Sequence, residues 1–243
     1  MTPRFSIIIP AYNEAVLLPR LIGTIQAAAR RYHGGRDQIE IIVADNASTD
    51  ETAAVARNLG GVVARVEKRT IAAARNGGAK IARGDVLCFV DADMQVHPDT
   101  FDGIGAAIGR HEVIGGATGV RPERWSVGIA VTWAVMLPAV WLLRMDTGVV
   151  FCRREDFTAL DGYREDRLVA EDVDFLVRLK RRGWRQRQGF VRLTQFKAIV
   201  SMRKFDQHGD WHYFPTLLRA AWHQVFSRRR FEREVRAYWY EGR

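Results

Sequence analysis

The chain has 243 residues, of which 47% are hydrophobic and 27% are charged. This composition excludes large-scale disorder and suits one large α/β domain or one domain with a short appendage. Its 37 basic and 28 acidic residues give a formal charge of +9, which favours anionic partners such as nucleotide diphosphates, an acidic membrane surface or nucleic acid, without choosing among them.

The two cysteines and the N-terminus indicate the compartment. Cys88 and Cys152 lie far apart inside apolar runs, so we expect buried thiols in a reducing environment and not a disulfide framework or a metal knot. The first residues lead directly into a strand-like segment, and they lack the apolar core of a signal peptide. We therefore expect a cytoplasmic protein.

The first half of the chain alternates short apolar runs with helical patterns, which is typical of a parallel sheet with crossover helices. Strands are predicted at residues 5–10, 39–44, 62–66 and 86–90. Three helices are predicted between them: one with Leu18, Leu21, Ile22 and Ile25 on one face, one opened by a capping box at residues 48–51 and closed at Gly60–Gly61, and one at residues 71–82 stopped by Gly84. These β-α units predict an α/β fold.

The second half is less regular. Residues 147–152 predict another strand, and residues 172–182 predict a helix ended by Gly183. An uncharged stretch runs from residue 125 to residue 143, and the chain closes with basic, aromatic-rich segments between residues 211 and 243.

Polar and acidic side chains follow the ends of the predicted strands. Residues 10–14 (PAYNE) follow the first strand, Asp45 and Asn46 the second, and Asp91 and Asp93 the fourth. Ligands of an open parallel sheet bind beyond the carboxyl ends of its strands. We therefore expect these side chains to converge on one rim of the sheet.

Asp91 and Asp93 predict a metal site. Two carboxylates separated by one residue can supply hard oxygen ligands to Mg²⁺ or Mn²⁺, and such a metal can bridge a diphosphate and stabilise the charge that develops on it. The alternative is a solvated acidic turn. The position directly after an apolar strand favours the metal site.

Three further positions each have a functional and a structural interpretation. Asp45 either accepts a hydrogen bond from a nucleobase or caps the next helix, and Arg75 either reaches a phosphate or base or is a solvated helical arginine. Glu171 and Asp172 begin an amphipathic helix, where they serve either as capping acids or as the source of a general base for an incoming hydroxyl.

Together these segments resemble family 2 of the glycosyltransferases, which have the GT-A fold. The similarity spans roughly residues 4–190, and the matching segments keep the family's order and spacing: residues 6–14 (SIIIPAYNE), 43–50 (VADNASTD), 74–77 (ARNG), 82–85 (ARGD), 89–93 (FVDAD) and 171–172 (ED). The resemblance implies a Rossmann-like α/β domain with a mostly parallel central sheet that binds a nucleotide sugar. It also implies a hexosyltransferase.

The resemblance assigns donor-binding roles residue by residue. Pro10, Tyr12 and Glu14 match the segment that lines the nucleotide pocket, Asp45 matches the acid that contacts the base, and Arg75 matches a donor-binding arginine. Many relatives have two adjacent acids where this chain has Asp45 followed by asparagine, which leaves base recognition open. The donor is expected to be linked to UDP or GDP.

The resemblance also assigns the metal and the base. Asp93 matches the metal ligand of the acidic pair, with Asp91 nearer the ribose and the outer shell of the metal, and Asp172 matches the catalytic base of the inverting members. Some GT-A enzymes supply a late histidine to the metal, a role that His208 could take. Arg203 and Lys204 either clamp the diphosphate or are surface charge.

The uncharged stretch 125–143 is near the length of a membrane span. A single crossing would put Asp93 and Asp172 on opposite sides of the membrane, although both belong to one site. Two alternatives remain: a helix buried against the sheet, or an interfacial segment with Trp125, Trp133 and Trp141 at headgroup level.

The C-terminal tail adds arginines mixed with aromatic residues, for example at residues 228–240. Such a segment can bind an anionic membrane surface or single-stranded nucleic acid, or it can be a solvated helix that packs on the domain or on another subunit. We expect peripheral association with the inner face of a membrane and an acceptor hydroxyl or phosphate that is lipid-linked, and we do not expect a nucleic-acid partner.

The predicted domain covers residues 1–205, with a nucleotide-binding half at about 1–95, an acceptor half at about 96–205 and a helical tail at 206–243. A nucleotidyltransferase or a dinucleotide-dependent oxidoreductase would need a glycine-rich loop after the first strand, where this chain has residues 11–14 (AYNE). A non-catalytic GT-A-like binding protein with a basic tail is the other alternative. The sequence does not predict the oligomeric state.

Overall fold

The computed structural model describes residues 2–143, 146–167 and 170–211. In these residues the strands are β1 Phe5–Ala11, β2 Ile39–Asp45, β3 Val62–Arg65, β4 Val86–Phe89, β5 Met94–Gln95, β6 Val113–Pro122, β7 Val150–Arg153 and β8 Gly189–Val200. The helices are α1 Leu18–Arg31, α2 Thr52–Asn58, α3 Ile71–Ile81, α4 Thr100–Ile108, α5 Val127–Leu143, α6 Arg154–Ala159, α7 Glu171–Arg185 and α8 Arg203–His208.

The strands form one mostly parallel sheet in the order β3-β2-β1-β4-β7-β6-β8-β5. β1 pairs in parallel with β2 and β4, whereas β7 is antiparallel to both β4 and β6. Since β8 is parallel to β6, the carboxyl ends of β1, β4, β6 and β8 all lie on one rim. The predicted α/β fold is confirmed, and the strand ends converge as expected.

Helices cover both faces of the sheet. Successive side chains of β1 point to opposite faces, so they pack against different helices. Ile7 and Ile9 pack with the apolar faces of α1 and α4, whereas Ile8 packs with α3 and α7. The predicted apolar face of α1 is confirmed, since its leucines and isoleucines are fully buried. The cysteines are buried and reduced, and burial raises the pKa of the Cys152 thiol.

Two sequence-based helix boundaries are wrong. Ser48 does not cap α2: its hydroxyl accepts the backbone N–H of Asn13 at 3.1 Å, and the Asp50 carboxylate accepts the N–H of Thr52 at 3.0 Å instead. The predicted capping residue, Ser48, therefore bonds to the loop that contains Asn13 and not to the helix. Gly183 does not end α7 but lies inside it, where a Cβ would meet Gln188 O and Ile114 Cγ2 at 2.8 Å.

The uncharged stretch forms α5, whose described side chains are partly buried and partly exposed. Ile129 and Thr132 are buried, whereas Val127, Val135 and Trp141 are exposed. The alternative of a helix buried against the sheet is therefore wrong for the side chains that the structure describes. No helix in the described ranges is long and apolar enough to cross a membrane.

Candidate active site

A cavity of about 510 Å³ opens at the rim where the parallel strands end. Its volume is within the usual range for ligand sites, roughly 300–1,000 Å³. Five of the predicted donor-binding and metal-binding residues lie in its wall: Pro10, Tyr12, Glu14, Asp91 and Asp93. Asp45, Arg75, Asp172 and His208 are not among the described residues that line it.

Asp91 and Asp93 follow β4 directly and face this cavity. Asp91 is partly exposed, and one of its oxygens accepts a hydrogen bond from Arg75 Nη2 at 2.9 Å. The backbone carbonyl of Asp93 accepts the N–H of Ser201 at 3.2 Å. The acidic pair is therefore fixed to α3 on one side and to the segment before α8 on the other.

Arg75 lies at the centre of an acidic cluster. Its guanidinium is buried, Nη1 donates to Glu171 at 3.3 Å and also to Asp172, and Nη2 donates to Asp91. The ring of Tyr163 lies 5.1 Å from the guanidinium carbon. The predicted alternative of a solvated helical arginine is thus wrong, and a direct contact with a donor stays a prediction because three carboxylates already occupy this cation.

The first turn of α7 carries the two carboxyl groups of this cluster. Burial raises the pKa of Glu171 to about 7; the neighbouring Asp172 charge adds to this rise, and Arg75 opposes it. Burial also raises the pKa of Asp172, with Arg75 opposing the shift and Asp91 contributing to it. Because the two carboxyls interact, they titrate as a pair. This pair can accept a proton near neutral pH.

Glu14 and Arg203 form a bidentate ion pair beside the cavity. Glu14 is 1% exposed, and its two oxygens accept from Arg203 Nη2 at 2.9 Å and from Nη1 at 3.0 Å. Arg203 is therefore not free surface charge. A diphosphate clamp by Arg203 and Lys204 stays a prediction, and Lys204 lines the cavity. Tyr12 stands nearby with the Arg69 guanidinium 4.0 Å above its ring.

Asp45 is buried, and its side chain accepts the backbone N–H of Ser48 at 3.1 Å. This is a turn-forming contact. The following Asn46 reaches the cavity and donates to the carbonyl oxygens of Val66 at 3.2 Å and of Lys68 at 2.7 Å. Contact between Asp45 and a base stays a prediction.

His208 is exposed on α8, and its Nδ1 lies 3.2 Å from the Lys204 carbonyl oxygen. Among the residues that the structure describes, no group of three or more His, Cys, Asp or Glu side chains is placed to hold a metal ion. Asp91, Asp93 and His208 are therefore not gathered into a complete protein-only site.

The opposite wall of the cavity was not predicted from the sequence. It includes Asp146, Arg192 and Lys197, together with Trp133 and Val140 of α5. No motif marks these positions. Only the tryptophans of the uncharged stretch gave a signal, since they had been singled out as amphipathic side chains.

The model of the family described as "Glycosyl transferase family 2" matches residues 6–136 of this chain. A PGL/p-HBAD biosynthesis glycosyltransferase from Mycobacterium bovis is 31% identical over 186 residues, which cover 72% of this chain and 69% of that protein.

Two shorter matches concern longer proteins. A validoxylamine A glucosyltransferase from Streptomyces hygroscopicus is 33% identical over 111 residues, which cover 43% of this chain and 25% of that protein. An undecaprenyl-phosphate 4-deoxy-4-formamido-L-arabinose transferase from Pseudomonas fluorescens is 38% identical over 101 residues, which cover 39% of this chain and 29% of that protein.

Solved structures share the fold. The mannosyltransferase PcManGT from Pyrobaculum calidifontis, solved with GDP-Man and Mn²⁺, superposes with a TM-score of 0.64 at 22% identity, covering 82% of this chain and 57% of that one. TarS 1-349 of S. aureus, solved with UDP-GlcNAc, superposes with a TM-score of 0.63 at 20% identity, covering 82% and 58%. At these identities the likeness shows the GT-A fold alone.

Proposed function

Because this chain belongs to glycosyltransferase family 2, we propose that it is a metal-dependent, inverting hexosyltransferase that takes a sugar from a nucleotide-diphosphate sugar. The observation that carries this proposal is the arrangement around Arg75, which binds Asp91 of the cavity wall and Asp172 of α7 through the same guanidinium. Arg75 thus holds Asp91, on the proposed donor side, next to Asp172, the proposed general base.

The donor atoms in the cavity wall fit a divalent metal. Mg²⁺ is usually bound through one or two carboxylates together with substrate phosphates and water, and not by a complete protein cage. Asp91 and Asp93, which line the cavity, would supply such a pair of oxygen ligands, and we expect Asp93 to bind the metal directly. When bound, the metal would neutralise the charge of the donor diphosphate. His208 remains a predicted third ligand.

Asp172 is proposed as the general base that takes the proton from the acceptor hydroxyl. Its raised pKa brings its proton affinity closer to that required near neutral pH, where a general base is most efficient. The hydrogen bond from Arg75 fixes its orientation. Attack by the deprotonated hydroxyl on the face opposite the leaving diphosphate would invert the anomeric carbon.

The donor wall is proposed to consist of Pro10, Tyr12 and Glu14. Asp45 and Arg75 remain proposed donor-binding residues. Asp45 also holds the turn beside the cavity, and Arg75 also holds a cavity carboxylate. Solved neighbours with GDP-Man and with UDP-GlcNAc support both a guanine and a uracil donor. The Mn²⁺ in one of them supports Mn²⁺ beside Mg²⁺.

The acceptor is proposed to be lipid-linked and to be reached by a protein that docks reversibly on an anionic membrane surface at the cytoplasmic face. The exposed apolar side chains of α5 and the charge of +9 support this. The similarity to an undecaprenyl-phosphate transferase supports a polyprenyl type of acceptor. The halves 1–95 and 96–205 are then the donor and acceptor halves.

Thermal unfolding with a panel of nucleotide sugars, with and without Mn²⁺, tests the donor assignment. A ligand at a hundredfold excess over its dissociation constant stabilises the folded protein by about 2.7 kcal/mol. We expect one UDP- or GDP-sugar to raise the Tm only when Mn²⁺ is present, and transfer to water or an acceptor to follow. A protein that no nucleotide sugar stabilises would contradict the proposal and favour a non-catalytic relative.

A further inference from the structure

The cavity has two chemically different walls. Strands β1 and β4 form the acidic donor wall described above, whereas β6, β8 and α5 form the opposite wall. In the sheet, β7 and β6 separate β4 from β8. The opposite wall presents the cations Arg192 and Lys197 beside the rings of Trp133 and Trp141. It therefore combines two cations and one carboxylate, Asp146, with apolar rings, whereas the donor wall carries the carboxylates of Glu14, Asp91 and Asp93.

An irregularity in β8 turns Lys197 towards the cavity. Thr118 of β6 is aligned with Leu193 and Val120 with Ala198, so five residues of β8 advance against two of β6. Such a bulge redirects side chains that regular alternation would place elsewhere. The bulge lies close to Gly119, where a Cβ would stand 3.3 Å from Lys197 Cγ. Glycine at this position leaves room for the lysine stem.

Arg192 is held in place by Asp146, which lines the same wall of the cavity. This buried carboxylate accepts Nη2 at 3.1 Å and also accepts Nε. Within the described part of the chain, Nη1 has no hydrogen-bond acceptor. The segment behind Asp146 is fixed in turn, because Val149 N donates to Thr118 Oγ1 at 2.8 Å. An oriented guanidinium edge therefore remains available to an anion.

The aromatic part of this wall is anchored at one end and open at the other. Ile129 at the start of α5 packs with Met202 and Phe205 of the segment around α8. Farther along the helix, Val140 and Trp141 line the cavity, and Trp141 remains 70% exposed. An apolar chain can therefore pass from the cavity along α5 into the surroundings.

We infer that this wall is the acceptor subsite and that it binds an anionic amphiphile, with a phosphate group at Arg192 and Lys197 and a hydrocarbon chain against Trp133 and Trp141. The inference rests on the proposed function and names the substrate class of the same cavity. The donor wall carries carboxylates, whereas the opposite wall offers an anion Lys197 and the edge of Arg192 that Asp146 leaves open. Apolar rings in the same wall discriminate a phosphorylated chain from free phosphate.

Isothermal titration of the full chain with decyl phosphate, below its micelle concentration, tests this inference. We expect decyl phosphate to bind more tightly than both inorganic phosphate and decyl glucoside, because only decyl phosphate satisfies both parts of the wall. If inorganic phosphate bound as tightly as decyl phosphate, the inferred hydrocarbon contact would be wrong, and the acceptor would be a soluble phosphorylated molecule. If decyl glucoside bound as tightly, the inferred phosphate contact would be wrong.

Charge-reversal and aromatic variants locate the subsite. Lys197→Glu and Trp141→Ser, both at exposed positions, are each expected to weaken decyl phosphate binding by about tenfold, the order expected for losing one charge-assisted or stacking contact. Lys80→Glu and Trp184→Ser make the same changes at exposed positions outside the cavity and are expected to bind normally. Unchanged binding in both cavity variants would overturn the inference.

The same variants separate this inference from the proposed function. Stabilisation by a nucleotide sugar and Mn²⁺ is expected to be retained in Lys197→Glu and Trp141→Ser, because neither residue belongs to the donor wall. If the wild-type protein binds a nucleotide sugar but not decyl phosphate, the acceptor subsite alone is wrong. If it binds decyl phosphate but no nucleotide sugar, the proposed function fails.

Discussion

Arg75 reaches its acidic partners because the helix that carries it is made of small residues. Ala72, Ala74 and Gly78 of α3 are buried against the sheet, and a Cβ at Gly78 would meet Ile8 Cγ2 at 2.6 Å. The close approach of the helix brings the guanidinium under Asp91 at the end of β4. Side chains that act in the proposed reaction therefore depend on residues that have no chemistry of their own.

Asp93→Ala is expected to abolish sugar transfer, because it removes a proposed metal ligand. The fold should stay intact, because this side chain lies partly exposed at the cavity wall. Transfer assays with added Mn²⁺, and circular dichroism for the fold, measure the two effects. Asp85→Ala removes an exposed carboxylate just before β4 and should retain activity. Full wild-type activity in excess chelator would contradict the metal proposal.

Asp172→Asn is expected to lower turnover by about 10²–10⁴-fold, the usual effect of losing a positioned general base. An asparagine oxygen can still accept the Arg75 hydrogen bond, so donor binding should persist. The measurements are kcat and the donor dissociation constant, with Asp166→Asn at an exposed position as the matched control. Retention of anomeric configuration in the product would count against a base at this position.

The activity is expected to fall as the pH falls through the titration of Glu171 and Asp172. Burial raises both pKa values, that of Glu171 to about 7, and a base works only in its deprotonated form. The acidic limb of kcat/KM should therefore lie well above pH 4 and follow the titration of a coupled pair. Glu171→Gln should simplify this limb to one proton while keeping activity.

The raised pKa of Glu171 also affects stability, with a defined sign. A group whose pKa is higher in the folded state stabilises the fold below its unfolded pKa, and this contribution is lost as the pH rises through the folded value. Between pH 4.5 and about pH 7, the Glu171→Gln variant should therefore lose less free energy of unfolding than the wild type. If urea unfolding of the variant and of the wild type had the same pH dependence, folding would not raise the pKa of Glu171, contrary to this prediction.

At the level of elements, α8 is fastened to the end of β1 by the Glu14–Arg203 pair. Met202, Lys204 and Phe205 of this segment line the cavity, so the position of α8 sets the shape of the donor end. Arg124 adds a second attachment, since it donates to Asp206 and Asp210 and links the start of α5 to α8. The two helices should therefore move together.

Arg203→Leu is expected to destabilise the protein by about 2–3 kcal/mol, because a fully buried Glu14 loses its charged hydrogen bonds. The double variant with Glu14→Leu should lose less than the sum of the single variants, since no uncompensated charge remains. Urea unfolding measures both. As a control, Arg20→Leu breaks an exposed pair with Glu123 and should cost less than about 1 kcal/mol of unfolding free energy. If the effects of the Glu14 and Arg203 substitutions were strictly additive, the two residues would not be coupled.

At the level of the whole molecule, charge and exposed apolar surface point to one kind of surface. The chain carries +9, and α5 exposes Val127, Val131 and Val135 in addition to Trp141. The predicted basic tail lies largely outside the described residues, because the structure is described only to residue 211. Interfacial docking through α5 and the tail therefore stays a prediction.

Co-sedimentation with vesicles tests this docking. We expect salt-sensitive binding to anionic vesicles, because each Lys or Arg near an anionic surface contributes about 1 kcal/mol. Val131→Asn combined with Val135→Asn should weaken binding, whereas Val173→Asn, an exposed valine on α7, should not. Absence of sedimentation with anionic vesicles at low salt would favour a soluble acceptor.

The sequence by itself determined the β-α alternation, the order of the motifs and the polar strand ends at one rim, because these depend on periodicity and on residues close together in the chain. It also predicted five cavity residues, since strand ends of a parallel sheet must share an edge. The exposed or buried state of a segment without charges, such as α5, depends on what covers it and could not be predicted.

The tertiary structure alone decided which charges meet. Arg203 lies 189 positions from Glu14, and Arg75 lies 97 positions from Asp172, so no local pattern relates them. The same holds for Ser48, whose hydroxyl accepts the backbone N–H of Asn13 and does not cap the helix. It also holds for Lys197, which lies at a bulge of β8 and lines the cavity. A polar group bonds to the partner that the fold brings within about 3 Å, and that choice depends on packing between distant elements.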